Sequence, residues 1–308
     1  MILETKRPSL SNLETRLNQV KYWMTDLDQT SWDRSGTFSS VNPTLPWLFL
    51  DLSLRQDVAL GVCTSRSPKS VAKIEQDMIT IGIGGFTRDQ HPIFSGPSIY
   101  SDGHQIGVPN GSGVSFEILT SPEALKEMGR LKDDIKSRWQ IAGDSKLRAG
   151  KYGFIEGLSA PIQVADEDIK ETGVFKIMVK GPLANIDYPD YQTTLTHMIK
   201  IAEETGIRHI GFMLTANGDI IAVEKFADGH LRSKRDGLLV LEKRGLINLS
   251  KIGYFGDAEN DLEIALEIKS NGGLIFTVAN GIPELKEIAD YVTPQPESTG
   301  VAHILRWA

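Results

Sequence analysis

The sequence predicts an α/β protein: a doubly wound parallel sheet with an α+β cap inserted into it. Three observations carry this. Short apolar runs alternate with segments of helical spacing at both ends of the chain, which is the pattern of a parallel sheet. Polar clusters follow those runs, at Asp26, Thr64 and Asp257. The middle of the chain has a different grammar, of hairpins and one long charged helix.

The elements follow in order. Tyr22 to Thr25 is a short apolar run that ends in Asp26-Leu-Asp-Gln-Thr30. Leu45, Leu48, Phe49 and Leu52 recur at helical spacing. Val58 to Cys63 is a second apolar run, followed by Thr64-Ser-Arg66, and Ser67 and Pro68 suit the N-cap and first turn of a helix through Val71, Ile74 and Met78. Residues Pro92 to Val108 read as a hairpin around Ser101-Asp-Gly103, and Pro122 to Trp139 as a helix. Val174 to Val179 is a strand, Tyr191 to Glu204 a helix, and Gly211 to Phe226 a hairpin turning at Asn217-Gly218. The grammar of the N-terminal region returns near Leu238, with strands at Ile252 to Phe255, Leu274 to Val278 and Tyr291 to Thr293 and helices between them. These limits place a core at residues 1–111 and 227–308 and a cap at 112–226, hinged at Pro109–Gly113 and Ala227–Gly229. In open α/β sheets, ligands bind beyond the carboxyl ends of the strands, so Asp26, Thr64 and Asp257 are expected on one edge.

The chain has 308 residues, enough for two domains, with 40% hydrophobic and 24% charged residues. Its net charge of -7 argues against a nucleic-acid partner, which calls for a basic face. No stretch is apolar enough for a membrane span. The single cysteine, Cys63, rules out an internal disulfide, and with the polar N-terminus the expected location is cytoplasmic. Cys63, Trp23 and Trp47 are expected in the core. The stretch before Lys21 is either a helix packed on the core or a loose arm.

The chemistry starts from Asp26-Leu27-Asp28. Phosphoryl transfer needs a nucleophile, a proton donor for the leaving oxygen, and positive charge around the transferring oxygens. Two carboxylates one residue apart at a strand end can divide the first two tasks, Asp26 attacking phosphorus and Asp28 serving as acid and then base. Asp and Thr also favour turns and helix caps, and the local motif alone fits that reading as well. Gly256-Asp257-Ala-Glu-Asn260-Asp261 adds a second acidic cluster after a strand, and Mg2+ takes hard oxygen ligands of this kind. Asp261 can equally be just an acid of a first helical turn. Thr64 can donate its hydroxyl to a phosphate, helped by the backbone at Ser65, and Lys234 offers a compact cation. Gly82-Ile-Gly-Gly-Phe86 lacks the spacing of a dinucleotide loop, and the six histidines form no zinc motif.

The ordered set Asp26-Leu-Asp-Gln-Thr30, Thr64-Ser-Arg66, Lys234 and Gly256-Asp-Ala-Glu-Asn-Asp261 resembles the four motifs of the haloacid-dehalogenase superfamily. The tail Val278-Ala-Asn-Gly-Ile-Pro-Glu-Leu-Lys-Glu-Ile-Ala-Asp-Tyr-Val-Thr293, then Ser298-Thr-Gly-Val-Ala302, resembles its Cof-type sugar-phosphatase branch with a type IIB cap. The resemblance covers most of the chain from about Lys21 onward. It implies the Rossmann-like core of that superfamily and hydrolysis of a small phosphorylated metabolite. It implies Asp26 as nucleophile and Asp28 as acid/base, with Thr64, Ser65, Lys234 and Asn260 around the phosphate. It implies Mg2+ held by Asp26, Asp257 and the backbone carbonyl of Asp28. The chain departs from the pattern at Gln29, Ser65 and Arg235, where glycine is usual, and at Ser95, where asparagine is. A non-glycine residue fits at position 29 if its φ is negative. Two other readings share the fold: a phosphomutase or phosphotransferase, and a non-catalytic sugar-phosphate-binding regulator. Lys151, Tyr152, Glu156, Lys176 and Lys180 either face the pocket or are simply exposed.

Overall fold

The computed structural model describes residues 10–33, 42–84, 92–110, 113–141, 153–155, 162–164, 169–179, 191–214 and 219–308. In chain order the first elements are α1 (Leu10–Leu17), β1 (Tyr22–Thr25), α2 (Leu45–Leu54), β2 (Ala59–Val62) and α3 (Pro68–Asp77). A hairpin of β3 (Ser98–Tyr100) and β4 (Gln105–Asn110) follows, then β5 (Gly113–Ile118). Next come α4 (Pro122–Ser137), β6 (Trp139–Ile141), β7 (Gly153–Ile155), β8 (Ile162–Val164), α5 (Ile169–Thr172), β9 (Phe175–Val179) and α6 (Tyr191–Glu204), with β10 (Ile210–Leu214) and β11 (Ile220–Glu224). The chain ends with α7 (Lys234–Lys243), β12 (Ile252–Gly256), α8 (Leu262–Ser270), β13 (Leu274–Thr277), α9 (Pro283–Ile288), β14 (Tyr291–Val292) and α10 (Glu297–Leu305).

Two units result, residues 1–117 with 233–308 and residues 118–232. The first holds a five-stranded sheet in the order β14-β13-β12-β1-β2, every neighbouring pair parallel. Covered on both faces, its strands read as continuous apolar runs rather than alternating ones. Trp23, Phe255 and Phe276 stack beneath it at centroid distances of 5.0–5.7 Å. Leu13 and Leu17 join this core, so the stretch before Lys21 includes a packed helix. The β3-β4-β5 sheet belongs largely to this unit.

The second unit carries a six-stranded antiparallel sheet, β10-β11-β9-β8-β7-β6, against α4 and α6. Its helix α4 begins as the sequence predicts, with the Ser121 side chain capping the Ala124 N–H and Pro122 in the first turn. The Asn217-Gly218 turn, Lys151, Tyr152, Glu156 and Lys180 lie outside the described residues. Lys176 is described and pairs with Asp219 at 2.8 Å. No helix among the described residues is long and apolar enough to cross a membrane.

Two expectations fail locally. Trp23 is 2% exposed but Trp47 is 50% exposed, because α2 is apolar on nearly every side and cannot bury all of them. Gln29 adopts φ +63°, not the negative value that a non-glycine residue prefers. Hydrogen bonds hold it there: its N–H donates to the Trp32 carbonyl at 2.7 Å, and its own carbonyl accepts from Asn280 Nδ2 at 2.8 Å.

Candidate active site

Asp26 follows β1, Thr64 follows β2 and Asp257 follows β12, three adjacent parallel strands, so these residues share one sheet edge. Lys234 opens α7 and is 1% exposed. Its ammonium donates to Oδ1 of Asp26 at 2.8 Å and to Oδ1 of Asp261 at 2.6 Å. Thr30 donates its hydroxyl to Oδ1 of Asp257 at 2.6 Å.

Asp261 is the organiser that the sequence reading missed. Its Oδ1 also accepts from the Tyr254 hydroxyl at 2.5 Å, and its Oδ2 accepts the N–H groups of Asp257 and Ala258 at 2.9 and 3.2 Å. Gly256 makes this approach feasible: a Cβ there would stand 2.8 Å from the Asp261 carboxyl group. The one sequence signal was its place four residues after Asp257, which an acid of the first helical turn shares.

One oxygen from each of Asp26, Asp257 and Asp261 lies within 4.8 Å of the others. The charges there do not balance. Burial pushes the Asp26 carboxyl well above its ordinary value; Lys234 opposes this, and the charges of Asp261 and Asp257 add to it. Burial and then the Asp261 charge push Asp257 up to about 7, against the pull of the Thr30 hydrogen bond. A hard divalent cation is the group that relieves such an excess. All four of Asp261's hydrogen bonds come from this chain's own donors, whereas Oδ2 of Asp26 and Oδ2 of Asp257 have no hydrogen-bond partner among the described residues. The donor set therefore fits Mg2+.

The Asp28 carboxylate is not in that group. It is turned to Arg66, which grips it with two hydrogen bonds, Nε to Oδ2 at 2.8 Å and Nη2 to Oδ1 at 2.5 Å. Thr64 is fully buried and its hydroxyl oxygen accepts from the Arg66 N–H at 3.2 Å, while its O–H meets no acceptor among the described residues. Ser65 is exposed between them. Asn260 donates from Nδ2 to Oδ1 of Asp102 at 3.1 Å. Cys63 is buried, and burial pushes its thiol up, so it is a core residue as expected.

A family model described as haloacid dehalogenase-like hydrolase matches residues 229–305. The phosphoglycolate phosphatase of Methanothermobacter thermautotrophicus is 41% identical over 68 residues, 22% of this chain and 28% of that protein. The protein M6_Spy0533 of Streptococcus pyogenes is 39% identical over 74 residues, 24% of this chain and 26% of its own length. The match thus spans about a quarter of each curated relative. The fold extends much further. A haloacid dehalogenase-like hydrolase from Bacteroides thetaiotaomicron aligns with a TM-score of 0.58 at 16% identity, over 93% of this chain and 98% of that one. A HAD/COF-like protein from Plasmodium vivax aligns with a TM-score of 0.59 at 16% identity, over 96% and 98%. The matched segment, which carries Lys234 and Asp257, is thus similar to haloacid dehalogenase-like hydrolases, and the fold of such proteins runs through nearly the whole chain.

Proposed function

We propose that the chain is a Mg2+-dependent phosphatase of a small phosphorylated metabolite, a sugar phosphate being the class favoured, working through an aspartyl phosphate on Asp26. The observation that supports this most is the state of Asp26 itself. Lys234 holds one of its oxygens and the other has no hydrogen-bond partner among the described residues, as is true of Oδ2 of Asp257, whose carboxylate belongs to the same cluster.

In the first step the unpaired oxygen of Asp26 attacks phosphorus, the bond from phosphorus to the leaving oxygen breaks, and Asp28 gives that oxygen its proton. In the second step Asp28 takes a proton from water, the water oxygen attacks the same phosphorus, and the acyl phosphate bond breaks to free orthophosphate and the Asp26 carboxylate. Arg66 grips Asp28 in its carboxylate form, the form the second step uses. Asp28 enters the first step protonated, and the proton it takes from water in the second step restores that protonated form. Lys234 stabilises the charge on the transferring oxygens, and the Thr64 hydroxyl donates to them. Asp26 and Asp257, with the Asp28 carbonyl, would hold Mg2+, which when bound would offset the repulsion between carboxylate and phosphate. Substrate selection is assigned to the inserted cap, residues 112–226, and the setting to the cytoplasm.

Orthophosphate release from a panel of phosphorylated metabolites, with and without Mg2+, tests the reading. Wild-type protein should release phosphate and Asp26→Asn should not; equal release from both contradicts it. Isomerised substrate without net phosphate release would point to a mutase instead.

A further inference from the structure

The turn between β3 and β4 is strained and buried, and it touches three site-bearing segments. Ser101, Asp102 and Gly103 have φ of +50°, +51° and +88°, three left-handed residues in a row, two of them with side chains. Ser101 and Asp102 are 2% and 3% exposed. Such conformations persist only where the surroundings over-determine them, and they concentrate at functional sites.

The surroundings here are the candidate site. The Asp102 N–H donates to the Thr64 carbonyl at 3.2 Å and the Ser101 N–H to the Arg66 carbonyl at 3.1 Å. Gly103 lies so close to the start of α7 that a Cβ on it would be 1.8 Å from the Ser233 carbonyl oxygen. The Asp102 carboxylate accepts from Asn260 Nδ2 at 3.1 Å, and its charge reaches the Lys234 ammonium.

We propose that Asp102 is a positioning residue for the phosphate pocket, fixing the Asn260 carboxamide so that its second Nδ2–H faces the bound anion. A carboxylate only accepts, so it selects the amide rotamer that turns nitrogen toward it. One hydrogen is then committed to Asp102 and the other is left to donate. Without that acceptor the amide is free to turn its oxygen to the anion, which repels it. The left-handed turn is what brings the Asp102 carboxylate to Asn260 while its own backbone pins the Thr64 loop. This role rests on the phosphate reading of Thr64, Lys234 and Asn260 given above.

The test is orthophosphate binding to the full chain with Mg2+, by calorimetry, which needs no turnover. Asp102→Gly suits the left-handed backbone and should melt no lower than wild type, yet bind orthophosphate about tenfold more weakly. Asp102→Asn keeps an acceptor and should stay within about threefold of wild type. Combined with Asn260→Ala, Asp102→Gly should cause no further loss, because both act through one amide. Wild-type affinity in Asp102→Gly, or losses that multiply in the double variant, overturns the role. A check free of any variant is the Asn260 side-chain amide resonance of the wild type: one of its protons should move on adding orthophosphate, and an unresponsive amide overturns the role. Failure of the wild-type protein to bind orthophosphate would bring down the phosphate reading itself, a result distinct from the others.

Discussion

The Lys234 ammonium stands 2.8 Å from Oδ1 of Asp26, although 208 positions separate the two residues in the chain. Asp261 completes the group, and the Lys234 and Asp261 side chains are fully buried. Removing one partner of a buried ionic group strands the rest in a low dielectric. Lys234→Met is therefore expected to lower folding stability by about 3–5 kcal/mol, read from urea unfolding, besides abolishing phosphate release.

Gln29 makes the opposite prediction. Its φ of +63° costs a residue with a side chain about 1–2 kcal/mol. Gln29→Gly removes that strain, offset in part by the greater freedom of glycine in the unfolded chain. The expected result is an unchanged or slightly raised unfolding midpoint, by up to about 1 kcal/mol in stability. A clear loss would mean that the Gln29 side chain itself stabilises the turn.

Arg66 holds Asp28 through a two-pronged grip that lysine cannot reproduce. Both side chains are about a third exposed, so the pair contributes little to folding. Arg66→Lys should leave the melting temperature almost unchanged and lower kcat by about tenfold to a hundredfold, the range for misplacing a general acid–base group. Unaltered kcat would remove Arg66 from the account of Asp28.

The second unit should be sensitive to acid. Burial acts to raise the Glu224 carboxyl, but the hydrogen bond from Ser121 and the Arg232 charge outweigh it, and the net direction is down from 4.5. Glu127 behaves alike: burial raises it, and hydrogen bonds from the His209 side chain and the His209 and Arg208 backbone bring it below 4.5. A depressed folded value means that the stabilisation is fully present above the unfolded value and is lost as pH falls through the folded one. Amide hydrogen exchange in residues 118–232 should therefore quicken below about pH 4.5, the ordinary glutamate range. Glu224→Gln with Glu127→Gln should flatten that dependence, and an undiminished slope in this double variant would contradict the assignment.

Much of this was legible in the sequence, for physical reasons that also mark its limits. Asp26, Thr64 and Asp257 could be placed on one edge because a parallel sheet sends every strand's C-terminal end the same way. The aromatic core at Trp23 followed from β1 being buried on both faces. Trp47 did not follow, since the pattern of α2 is apolar all round and names no inward side. The pairing of Asp28 with Arg66, and of Asp102 with Asn260, depends on how separate loops meet in space, 38 and 158 positions apart. No local periodicity encodes such meetings. Asp261 looked like an ordinary acid at a helix start until its four donors were seen around it.

The most direct measurement is chemical trapping of the intermediate. Wild-type protein given a 32P-labelled phosphomonoester that it turns over, with Mg2+, and quenched in acid within one turnover should carry a hydroxylamine-labile phosphate. That label should map to the peptide holding Asp26 and be missing from Asp26→Asn. Phosphate release by the wild type with no labelled peptide, or a label that persists in Asp26→Asn, would contradict the account.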